Sequence, residues 1–146
     1  MTRTAKAVEL FAKKFNCSQA VFTAFRQTGV LDESTALKLG TVFGAGVAGT
    51  GDGTCGAVSG ALMAISMKHG RGDLQSIDAK VRTYELGKKL MTEFARRNGS
   101  CACAELLGMS IGIPENMARA QALKLYDTKC VSLVRSAAEI LGSMIA

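Results

Sequence analysis

Apolar residues in this chain recur at spacings of three and four, and no segment sustains period-two alternation or concentrates β-branched residues. Such spacing lines up side chains on one helix face, whereas a strand sends successive side chains to opposite faces. The expected fold is therefore all-α, a compact single-domain bundle of about six helices. Residues 5–15 read as a first helix. Asn16 caps a second that stops at Gly29, and Asp32 or Ser34 opens a third that fades at Gly44. The stretch GAGVAGTGDGTCG, residues 44–56, reads as a flexible glycine-rich loop delivering the chain into a fourth helix from Cys55 to about His69. In that helix Gly56, Gly60 and Ala64 form a ridge of small side chains that another backbone can approach. Ser76 begins the longest helix, with Val81, Tyr84, Met91 and Phe94 as its apolar positions. Asn98-Gly99-Ser100 breaks it before a short segment at residues 101–107. Pro114 suits the first turn of the next helix, and Asp127 or Thr128 lies near the start of the last.

Composition narrows the class. A chain of 146 residues, read as one domain over 1–146, can bury a core without covalent staples. With 48% hydrophobic and 21% charged residues it is globular rather than disordered. The opening MTRTAKAVELFAKKF lacks an apolar run with a small-residue cleavage site, so no signal peptide is read and a cytoplasmic location is expected. Between Leu39 and Met67 the only charge is Asp52, which raises the question of a membrane span. The helical part after Asp52 is shorter than the ~20 residues a bilayer needs, so a buried helix is expected and no membrane span. The net charge of +6 is spread over pairs such as Lys13-Lys14, Lys88-Lys89 and Arg96-Arg97 on polar faces, and no nucleic-acid motif accompanies it.

Several familiar patterns lack their context. Gly44-Ala-Gly46-Val-Ala-Gly49 fits a dinucleotide signature, but helical periodicity precedes it where a strand is required. The single histidine, His69, closes the fourth helix, where its ring suits the terminus better than a ligand role. Tyr84 and the six phenylalanines fall mostly on expected core faces. With one histidine and dispersed acids, no hydrolytic triad or paired-carboxylate site can be assembled.

The five cysteines are the chemically informative residues. Four of them open a periodic segment and share its apolar stripe. Cys17 leads Ala20, Val21 and Ala24; Cys55 leads Val58, Leu62 and Ile65; Cys103 leads Leu106 and Leu107; Cys130 leads Leu133, Val134, Ala137 and Leu141. A helix N-terminus carries about half a positive charge and favours a thiolate, the form that acts as nucleophile and as metal ligand. Free cysteine also packs as a small hydrophobe, and the shared position of four cysteines is what favours function over packing. The glycines before Cys55 make it the expected most reactive thiol, with Gly53 and Gly56 offering backbone N–H groups to a bound anion or cofactor. No Cys-x-x-Cys occurs, which disfavours thioredoxin-like exchange and zinc ribbons.

At these residues the chain resembles the C_GCAxxG_C_C family, described as redox-active proteins. The resemblance covers nearly the whole chain. It rests on Asn16-Cys17-Ser18-Gln19-Ala20-Val21, on Cys55-Gly56-Ala57-Val58-Ser59-Gly60 with Ala61-Leu62-Met63, on Cys103-Ala104-Glu105-Leu106-Leu107-Gly108 and on Cys130-Val131-Ser132-Leu133-Val134. It implies four functional cysteines at Cys17, Cys55, Cys103 and Cys130, a redox role and a transport-linked setting. Similar segments occur fused to multihaem cytochromes, where an iron–sulfur cluster is plausible. Cys101 departs from the pattern and could compete with Cys103. Two chemistries remain open for one four-cysteine site: thiol–disulfide redox, or an iron–sulfur cluster or other soft metal. The alternative is a binding or adaptor module for a small anion or a transport-linked partner, with cysteines that only pack. The small-residue ridge and the apolar C-terminal helix, residues 131–145, would also suit a homodimer.

Overall fold

A computed structural model describes residues 1–145, and the regular structure over that span is helical. The α-helices are α1 (Arg3–Ala12), α2 (Cys17–Phe25), α3 (Glu33–Gly40), α4 (Gly56–His69), α5 (Ile77–Asn98), α6 (Cys103–Leu107), α7 (Pro114–Ala122) and α8 (Val131–Met144). A 3-10 turn, Thr41–Phe43, follows α3, and a π-helical turn, Tyr126–Cys130, runs directly into α8. Among the described residues no strand forms; Thr54 and Ala102 meet in an isolated antiparallel bridge. Eight α-helices form rather than about six, and left-handed Gly99 and Gly108 (φ 97° and 74°) flank the shortest of them, α6.

Caps written in the sequence set most of the helix starts. Thr2, Asn16 and Asp32 each accept a backbone N–H of the first turn, and Pro114 stands in the first turn of α7. α2 ends at Phe25, short of Gly29, because Arg26 turns extended and its guanidinium donates to the carbonyls of Thr23 and Leu31.

α2 lies at the centre, buried from Ala20 to Phe25 and packed against α1, α3, α4 and α8. The small-residue ridge of α4 seats on it. A Cβ at Gly60 would stand 2.6 Å from the Ser18 carbonyl oxygen, and one at Gly56 would stand 3.0 Å from the Cys17 Cβ. The apolar face of α8, Leu133, Val134, Ala137 and Leu141, is covered by the helices around it. Both features that suggested a homodimer are thus used inside the chain.

α5 departs from its expected face. Val81 and Tyr84 are 51% and 60% exposed, while Gly87, Leu90 and Phe94 are buried. Gly87 explains the rotation, since it lets α5 approach Leu62 of α4, with only 3.3 Å left for a Cβ. Fully burying Phe94 there stabilises the fold by roughly 2–3 kcal/mol. Of the phenylalanines, Phe22, Phe25 and Phe94 are core residues and Phe43 is exposed. Among the described residues no helix is long and apolar enough to cross a membrane.

The buried apolar residues form two groups. The main core joins α1, α2, α4, α5 and α8 and includes Cys55. A smaller group holds Cys103, Leu107, Ile111, Ala120 and Cys130. Cys17 and Phe11 pack against both, so the space between the groups is bordered by sulfur.

Candidate functional site

Each of the four cysteines is placed by local backbone chemistry. Cys17 is the first residue of α2, set by a capping box in which Asn16 Oδ1 accepts from Gln19 N (2.9 Å) and Gln19 Oε1 accepts from Asn16 N (2.9 Å). Cys55 caps α4, and Cys103 opens α6. Two hydrogen bonds flanking the Thr54–Ala102 bridge tie these segments together: Cys55 N donates to Cys101 O (2.7 Å) and Cys103 N donates to Gly53 O (2.9 Å). Cys130 ends the π turn, its N–H donating to Leu125 O (2.9 Å). It is therefore not at a free helix start, because winding begins at Tyr126 and satisfies N–H groups that a true N-terminus would leave open.

The segment before Cys55 winds through a series of hydrogen-bonded turns. Ala45, Gly46, Val47, Ala48 and Gly49 all have positive φ, between 53° and 72°, a left-handed turn. Gly49 N donates to Gly44 O (3.3 Å), Gly51 N to Ala45 O (2.9 Å) and Gly53 N to Gly46 O (2.8 Å). Each non-glycine residue held this way costs about 1–2 kcal/mol, and Val47 is β-branched as well, so surrounding contacts must hold the turn. One such contact is visible: a Cβ at Gly46 would stand 3.0 Å from the Cys103 Cβ.

Cys17, Cys55, Cys103 and Cys130 line one cavity of about 630 Å³, walled by apolar side chains such as Phe11, Leu106 and Ile111. Gly56 lines it too. Gly53 does not, and its role is to join the left-handed turn to α6 through its N–H and carbonyl. Cys101 is also outside; its thiol donates to Met91 O on α5 (3.4 Å).

The thiols differ in electrostatics. Cys17 and Cys130 line the same cavity, and each thiol shifts the acidity of the other. Interaction with Cys17 draws the Cys130 thiol below its ordinary value, against the effect of burial and with help from the charge of Lys129. The same interaction, with burial, holds Cys17 well above its ordinary value. Burial pushes Cys55 up to about 12, although the N–H groups of Ala57 and Val58 act in the opposite direction. Cys103 is pushed up to about 11 by burial, with negative charge at Cys130 and Asp52 adding to it. Thiolate character thus concentrates on Cys130, not on Cys55 as its helix-start position suggested. The donors at the start of α4 are outweighed by loss of water.

Among the described residues no group of three or more His, Cys, Asp or Glu side chains is arranged to hold a metal ion. The cavity also takes in Lys14, Lys124 and Tyr126, which periodicity did not single out. Lys14 and Lys124 follow helix ends in positive-φ backbone (79° and 56°), a position whose usual marker is glycine, so no sequence signal announced them. Tyr126 sits at the start of the π turn, and its hydroxyl is pushed up by burial and by the neighbouring thiols.

Comparison with curated proteins and with solved structures found no match to this chain. A family profile described as putative redox-active protein (C_GCAxxG_C_C) matches residues 15–144, a span that takes in all four cavity cysteines, and the chain belongs to that family.

Proposed function

We propose that the protein is a thiol–disulfide redox protein whose working pair is Cys17 and Cys130. The observation that carries this reading is the single cavity that all four family cysteines line, in which Cys17 and Cys130 shift each other's acidity in opposite directions. The nucleophile in disulfide exchange is a thiolate, and Cys130 is the one of the four thiols drawn below its ordinary value. Its thiolate attacks one sulfur of a small disulfide, forming a mixed disulfide and expelling a thiolate. The proton of Cys17 passes to the expelled group, and the Cys17 thiolate then attacks the Cys130 sulfur. A Cys17–Cys130 disulfide forms and a second thiolate leaves, taking its proton from water, so the pair loses two electrons and the small disulfide gains them. Cys55 and Cys103, protonated at neutral pH, stand at the same cavity as reserve thiols. A reducing cytoplasm and a transport-linked redox partner belong to this reading.

Anaerobically purified protein tests it. Treatment with a small disulfide should leave a Cys17–Cys130 bridge in a peptide map. The Cys17→Ala variant should trap a mixed disulfide on Cys130, and its Cys130 should alkylate only at higher pH than in the parent. If both Cys17→Ala and Cys130→Ala react like the parent, the cysteines only pack and the adaptor reading takes over. Iron and sulfide recovered with a visible absorption band would replace thiol exchange by an iron–sulfur cluster.

A further inference from the structure

α1 and α7 are far apart in sequence yet end in the same way. Lys14 N donates to Phe11 O (3.0 Å) and Phe15 N to Leu10 O (3.3 Å); Lys124 N donates to Gln121 O (3.0 Å) and Leu125 N to Ala120 O (3.0 Å). Each is a helix terminus closed by a left-handed residue followed by an apolar one that packs on the core. Glycine makes these hydrogen bonds without strain, since only the backbone takes part. Both helices instead carry lysine at that position, with φ of 79° and 56°, and both lysines line the cysteine cavity. The helix ends do not require a long cationic side chain. A feature of the cavity accounts for the repetition, because strained residues that the fold does not need gather where function needs them. The cavity wall carries one carboxylate, Asp127, against these two ammonium groups, and Lys129 adds positive charge beside Cys130.

We infer that the cavity accepts an anionic low-molecular-weight disulfide, with Lys14 and Lys124 drawing its carboxylates to the mouth and presenting its sulfur–sulfur bond to Cys130. The volume of about 630 Å³ is that of a small-molecule site. This rests on the thiol–disulfide reading and names its substrate class. The reaction is the one written above: the small disulfide is reduced to two thiols, and Cys17 and Cys130 become the disulfide.

The test compares oxidation of the full chain by three disulfides: dithiodipropionate (two carboxylates), hydroxyethyl disulfide (neutral) and cystamine (two ammonium groups). The rates should fall in that order, with the differences narrowing as salt is raised. In the double variant Lys14→Gly/Lys124→Gly, the ratio of the dithiodipropionate rate to the hydroxyethyl disulfide rate should drop about tenfold, the lower end of electrostatic steering. Because glycine suits the left-handed position, the melting temperature of that variant should hold or rise, which separates loss of recognition from loss of fold. Asp127→Asn should raise the same ratio. A preference for the anion that survives in the double variant, or none in the parent, overturns the substrate class while leaving the redox pair intact. Failure of all three disulfides to generate the Cys17–Cys130 bridge overturns the redox reading and this inference with it.

Discussion

Ser18 and Thr23 are two fully buried polar residues on α2, and the helix treats them differently. The Ser18 hydroxyl donates to the carbonyl of Gly40, holding the end of α3 against the start of α2. Thr23 Oγ1 is buried and makes no hydrogen bond among the described residues. An unsatisfied buried hydroxyl costs about 1–3 kcal/mol of lost solvation, whereas valine fills the same shape without that cost. Thr23→Val is expected to stabilise the protein by about 1 kcal/mol and raise the melting temperature by roughly 3 °C. Ser18→Val should do the opposite, since it strands the Gly40 carbonyl and crowds the backbone beside Gly60. Thermal unfolding of the two variants checks both signs; a Thr23→Val protein that melts lower would mean the hydroxyl has a partner after all. At this scale the sequence was legible for identity and less so for chemistry. The set of four cysteines could be read from residue order, and Cys101 stood out as the extra one. Which thiol is the most acidic could not, because it depends on Cys17 and Cys130, 113 positions apart in the chain, lining one cavity.

The seam between α2 and α4 holds Cys17 and Cys55 at one wall of the cavity, and glycine makes the seam possible. At Gly60 a methyl group would stand 2.6 Å from the Ser18 carbonyl oxygen, and backbone cannot yield as a flexible side chain can. Gly60→Ala is therefore expected to destabilise by about 1–3 kcal/mol, as overpacked cores do. Gly72→Ala is the control, with nothing within 4 Å of its new methyl group. Denaturant titration of the pair measures the contrast, and equal midpoints would show that the helices can part without loss. This seam was readable beforehand, since Gly56, Gly60 and Ala64 at intervals of four mark a close approach whatever the partner. Other elements were not. Ala45, Val47 and Ala48 have no preference for left-handed backbone, so their wound turn reflects contacts with the chain near Cys103 rather than local propensity. The π turn at Tyr126–Cys130 is similarly silent in sequence, because its apolar spacing passes for ordinary α-helix. The face of α5 was misread through Val81 and Tyr84, where Gly87 decides the contact and apolar spacing alone does not.

Over the whole molecule, the cavity between the two apolar groups couples stability to the protonation of its sulfurs. Cys55 is held protonated up to about 12 and Cys103 up to about 11, against an ordinary value of 9.0 in the unfolded chain. Their folded values are raised, so the stability they contribute is fully present below pH 9 and is lost as pH climbs toward 11–12. Cys130 runs the other way: its folded value is lowered, so its contribution is present above the unfolded value and fades as pH falls through the folded one. Above pH 9 the raised thiols dominate, because Cys130 makes its contribution at lower pH. In that window each raised thiol binds one proton more in the folded than in the unfolded state, a slope of about 1.4 kcal/mol per pH unit per thiol. Stability by urea titration should accordingly be level near neutral pH and fall steeply from pH 9 to 11. Cys55→Ala should remove about one proton's share of that slope, and Cys55→Ala/Cys103→Ala about two. Cys17 and Tyr126, both also raised, keep a residual decline in every variant. Parent and double variant losing stability in parallel above pH 9 would show that water reaches both thiols freely.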